Sequence, residues 1–140
     1  MTYYFVEPEV AGGWGPNTVA TRQAGRPTLV TQLHYVFDGW LGDELLESTP
    51  CFIATETLAR ALSSAKLTGF LVGDVELTCS SQFVELHGDV GLPDFVWLKI
   101  DGRPGSDDFG IAGDMRLVVS QAALELLQTA GIAQAVVTPA

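Results

Sequence analysis

His34, Cys51, Cys79 and His87 are the side chains of this 140-residue chain best suited to hold a zinc ion, yet no two of them stand at the short spacings that zinc motifs use. Ser63-Ser64 and Ser80-Ser81 offer hydroxyls outside any nucleophile-elbow context, and neither histidine is placed in sequence to serve as their base. Asp108-Phe109-Gly110 spells the triplet that carries magnesium in protein kinases, but no glycine-rich nucleotide loop and no catalytic-loop motif accompany it. The loop Gly12-Gly13-Trp14-Gly15-Pro16 lacks the lysine and hydroxyl residue that follow a phosphate-cradling loop. A pair of carboxylates for glycoside chemistry cannot be singled out among 17 acids. These residues therefore predict no catalytic centre, no metal and no cofactor, and the expectation is a protein that is not an enzyme. If a small ligand or substrate is handled at all, the alternative site is a pocket near His34 and Tyr35.

Simple physics gives Asp107-Asp108-Phe109-Gly110 a structural reading. Two carboxylates accept backbone N–H bonds in a turn, Phe109 fills the core, and Gly110 supplies a backbone conformation that other residues resist. Asp107 is expected to be the more exposed of the two acids.

Charge narrows the partners. With 17 acidic against 7 basic residues the net charge is −10, which repels the phosphate backbones that basic proteins attract, so nucleic acid is excluded as a partner. An acidic face instead complements a basic protein. The longest apolar runs are only a few residues, far short of the ~20 that span a bilayer, and the start of the chain lacks the basic, apolar pattern of a signal peptide. The expectation is a cytoplasmic protein without a membrane partner, in which Cys51 and Cys79 are reduced core thiols.

The elements that would position these residues follow from periodicity. The length suits one domain with one core. Residues 3–6 read as a strand stopped by Pro8, the segment to about residue 27 reads as mostly irregular, and residues 28–37 alternate as one strand. Residues 43–47 read as a helical turn ended by Pro50. Cys51-Phe52-Ile53-Ala54 then forms a strand, Thr55 caps, and Leu58, Ala61, Leu62 and Ala65 recur at helical spacing. Residues 70–78 read as a further strand, and residues 95–100 as another with Trp97 in the core. Leu117-Val118-Val119, Ser120 and a helix closed by Gly131 repeat the strand, cap and helix pattern, before a last strand at 132–137. The fold class is α+β, a single compact domain with a mixed, mostly antiparallel sheet and two main helices.

Three segments carry a resemblance: Phe95-Val96-Trp97-Leu98-Lys99-Ile100, Asp107-Asp108-Phe109-Gly110-Ile111, and Leu117-Val118-Val119-Ser120 entering a helix. In this order they are similar to the Imm11-type immunity proteins of bacterial polymorphic toxin systems. The likeness continues upstream through Leu45-Leu46-Glu47-Ser48-Thr49-Pro50-Cys51-Phe52-Ile53 and Thr55-Glu56-Thr57-Leu58-Ala59, and so covers about the C-terminal two thirds. The resemblance implies an antitoxin that binds a cognate toxin domain from the same bacterium and neutralises it stoichiometrically by covering its active site. Binding residues are expected where acids, glycines and an aromatic coincide: Asp38, Trp40, Asp43, Glu44 and Glu47, with Asp107 as the next candidate.

Overall fold

Three times in this chain a strand runs into a hydroxyl residue that caps a helix, and that local rule organises much of the fold. The computed structural model describes residues 2–88 and 91–140. In chain order the strands and helices are β1 (Tyr3–Glu7), β2 (Gly12–Trp14), β3 (Val19–Gln23), β4 (Arg26–Gln32), β5 (His34–Phe37), β6 (Leu45–Ser48), β7 (Cys51–Thr55) and α1 (Glu56–Ser64). They continue with β8 (Phe70–Gly73), β9 (Glu76–Cys79), α2 (Ser81–His87), β10 (Phe95–Ile100), β11 (Phe109–Ile111), β12 (Leu117–Ser120), α3 (Gln121–Ala130) and β13 (Val136–Pro139). Thr55, Ser80 and Ser120 accept the N–H groups of Leu58, Phe83 and Ala123 at 3.1, 3.2 and 3.2 Å, each satisfying a donor the helix start would leave open.

The strands divide among separate sheets. One has the order β11-β12-β1-β13 and another the order β6-β7-β10-β8, both antiparallel throughout. A smaller sheet, β2-β5-β9, contains a parallel pair between β5 and β9, while β3 and β4 form a hairpin. The class is α+β as expected from the sequence.

The sheet β6-β7-β10-β8 is covered on both faces, which explains why β7 is buried at every position. Phe52, Ala54 and Leu98 point into a core shared with Val6, Leu117 and Val119 and with Leu58, Leu62, Leu124 and Leu127 of α1 and α3. Cys51, Ile53, Trp97 and Phe95 point the other way, into a second core with Leu33, Tyr35, Phe37 and Phe83. Successive strand residues face opposite sides, so two cores demand a continuous apolar strand rather than an alternating one.

Several sequence expectations are corrected. Residues 43–47 contain no helical turn; Leu45 and Leu46 are adjacent and both fully buried, one in each core, which an extended strand achieves and a helix does not. The early segment holds β2 and β3, residues 28–37 break into β4 and β5 at Leu33, and residues 70–78 break into β8 and β9. The last strand begins later, at Val136. Cys51 is a core thiol, pushed up to about 11 by burial against a weaker opposing hydrogen bond from Trp14. Cys79 ends an edge strand and is exposed. Gly110 is needed for space, because a Cβ there would strike the backbone of Pro104. Among the described residues no helix is long and apolar enough to cross a membrane.

Candidate functional site

The loop between β5 and β6 is held from below by one carboxylate. Glu9 is 7% exposed, and its oxygens accept the N–H groups of Leu41 at 2.7 Å and Asp43 at 3.3 Å. The Ala11 carbonyl accepts from Asp38 and Gly39 at 2.8 and 3.1 Å, and the Trp40 indole N–H donates to the Asp43 carbonyl at 2.9 Å. Trp40 also stands edge-on to Phe95, with ring centroids 6.1 Å apart. The loop is thus fixed before any partner arrives, and its tip, Leu41, is left 71% exposed.

Helix α2 forms the other wall. Phe83 anchors it in the second core, so Leu86 is turned outward, 66% exposed, with Gln82 and His87 beside it. Between the loop and the helix lies a groove of about 540 Å³, lined also by Val10, Ala11, Gly12, Asp38 and Gly39. Val10, at 66% exposure, completes a trio of apolar side chains around a rim that carries Asp38. Single exposed leucines mean little; three apolar side chains converging on one groove make it the candidate site.

This geometry divides the sequence candidates. Asp38 is exposed on the groove, and Trp40 lines it while serving as the loop's internal brace. Asp43 is not a surface acid: it is 3% exposed, and its carboxylate accepts the N–H of Gln134 at 2.8 Å. Glu44 accepts the Thr55 hydroxyl at 2.6 Å, beside the start of α1. Glu47 is half-buried in β6, where desolvation raises its carboxyl above the usual range, the Thr49 hydroxyl opposes the rise, and Glu7 adds to it. These three acids tie the loop and β6 into the fold. The sequence offered no cue to Leu86, and suggested His87 only as a metal ligand, because α2 is only seven residues long and a single side chain, Phe83, carries its inward face.

Asp43→Ala is accordingly a folding variant. It leaves the Gln134 N–H without its partner, and urea melts should give a loss of about 1–3 kcal/mol. Unchanged stability would show that the contact with Gln134 is dispensable.

Asp107 and Asp108 also prove structural. Asp107 accepts the Arg103 N–H at 2.7 Å and closes its own turn. Asp108 accepts the Ser120 hydroxyl at 2.6 Å on one oxygen and the Thr68 N–H at 2.9 Å on the other, so it ties the cap of α3 to the loop after α1. Both acids are half-buried, and neither stands out as the exposed one. Partial desolvation alone would raise the Asp108 carboxyl, but the hydrogen bonds from Ser120 and Thr68 outweigh it and hold the group below its ordinary value of 3.8. A depressed folded-state value means stability that is present above the unfolded value and lost as pH falls through the folded one. Thermal melts below pH ~4 should therefore fall less steeply for Asp108→Asn than for the parent. Parallel curves would deny Asp108 this role.

His34 and Tyr35, the residues named for the alternative pocket, are both engaged in holding strands together. His34 is 4% exposed; Nδ1 accepts the Asn17 N–H at 3.3 Å, which leaves the proton on Nε2, 2.8 Å from the Thr78 hydroxyl. Tyr35 is fully buried, its hydroxyl accepting from the Ala11 N–H and donating to the Glu47 carbonyl, and burial pushes it up to about 12. Both residues join strands, and neither lines the groove. Among the described residues no three His, Cys, Asp or Glu side chains gather as a metal would require.

The candidate site is therefore a braced, mostly apolar groove with Asp38 at its rim. No protein-family model, no curated protein and no solved structure matches the chain, so its function must be argued from this surface and from the sequence resemblance.

Proposed function

We propose that this chain is an immunity protein that neutralises a cognate bacterial toxin by stoichiometric occlusion of its active site, in the cytoplasm and without catalytic turnover. The observation that carries the reading is the groove between the β5–β6 loop and α2, where Val10, Leu41 and Leu86 are exposed together on a braced backbone. An inhibitor benefits from such bracing, because ordering a flexible loop on binding would cost affinity. Asp38 and the net charge of −10 favour a toxin with a basic rim, drawing it in and discouraging nucleic acid as a competitor. Apolar anchors then slow its release.

The test is a titration of a purified candidate toxin domain, sought in the genes neighbouring this one, with the purified chain. Activity should fall linearly to zero at one equivalent. Residual activity at large excess would reject occlusion.

A further inference from the structure

A second cavity, about 500 Å³, lies over the face of the β6-β7-β10-β8 sheet, between β4 and the turn joining β11 to β12. Its lining is mostly apolar and includes Leu29, Val30, Trp97, Ile111 and Met115. The lining holds one charged side chain, Lys99. Lys99 lies over the Trp97 ring, with Nζ 4.5 Å from the centroid, and pairs with no carboxylate among the described residues. Lys99 is itself exposed, at the edge of the cavity. The sheet makes room for it: Gly73 pairs with Trp97 across the strands, and a Cβ at Gly73 would come within 2.7 Å of Lys99 Cε. Cys51 also lines the cavity, and its thiol stays protonated at neutral pH, so that part of the wall carries no negative charge.

An apolar space with one cation at its edge is complementary to an apolar chain ending in one anion. We propose that this cavity binds a medium-chain fatty acid, with its hydrocarbon against Leu29, Val30, Ile111 and Met115 and its carboxylate on Lys99 Nζ. The site is separate from the groove lined by Leu41 and Leu86 and does not depend on the immunity reading.

Calorimetric titration of the full chain with octanoate, decanoate and decanol, each below its micelle concentration, tests this. Decanoate should bind at one site and at least tenfold more tightly than decanol. Each added methylene should tighten binding by up to about fourfold, so octanoate should be weaker than decanoate by about an order of magnitude. Lys99→Met keeps the stem over Trp97 and removes the charge; it should bring decanoate down to the affinity of decanol and leave decanol unchanged. The thermal midpoint of this variant, measured alongside, separates a lost ligand contact from a lost fold. Absence of saturable binding in the parent, equal affinity for decanoate and decanol, or decanoate binding unaffected in folded Lys99→Met would each overturn the proposal.

Discussion

Phe109→Ala should lower the stability of the chain by about 3–5 kcal/mol, the usual range for deleting a large buried aromatic. Phe109 is fully buried and stands edge-on to Phe70, with ring centroids 5.4 Å apart. Its backbone is as confined as its ring: the N–H donates to the Thr68 carbonyl at 3.0 Å, and its own carbonyl is crowded by Gly69 and Gly102, neither of which could carry a Cβ without striking it. The surroundings therefore cannot close easily around a missing ring, which places the cost toward the upper part of the range. Trp97→Ala should show a similar loss on the other side of the central sheet, where Trp97 is 6% exposed. Urea melts would report both as lowered midpoints. Stability like that of the parent would mean that these rings are not the centres of the two cores.

Replacing Leu41 and Leu86 together by aspartate should have the opposite profile. Both side chains are largely in water already, so the thermal midpoint should barely move; exposed substitutions of this kind change stability by about 0.5 kcal/mol or less. Binding to the proposed toxin partner should weaken by a factor on the order of 100 or more, since a desolvated apolar anchor contributes about 2 kcal/mol or more at the centre of an interface. Asp38→Lys should act differently. Its effect should fall on the association rate, about tenfold at low salt, and shrink as salt screens the field. Stopped-flow binding at two salt concentrations separates the two effects. Unchanged kinetics in both variants would move the interface elsewhere.

The fold was most legible where chemistry is local. The β7–Thr55–α1 and β12–Ser120–α3 units can be read directly, because an apolar strand, a capping hydroxyl and a helical repeat all lie within one short stretch. The third unit, β9–Ser80–α2, obeys the same capping rule but is too short for its period to register. Long-range pairing hid the rest. Asp43 looks like a solvated acid until the chain brings Gln134, 91 residues away, against it. The strand nature of β6 depends on pairing with β7, Leu46 opposite Ile53 and Glu47 opposite Phe52, and nothing within residues 43–47 announces that register. The candidate site was legible in half: Asp38 and Trp40 stand out as an acid and an aromatic among glycines, whereas Leu86 becomes a surface anchor only once Phe83 has fixed which way α2 faces.

The proposed function is tested most directly by survival of cells that express a candidate toxin domain from a neighbouring gene, with the chain supplied in parent and variant form at equal levels. Cells should grow fully with the parent and with Lys99→Met, and should die with the Leu41→Asp, Leu86→Asp double variant although that protein remains folded. Protection by the double variant equal to the parent would contradict the assignment of this groove, and death with the parent chain present would contradict the immunity function itself.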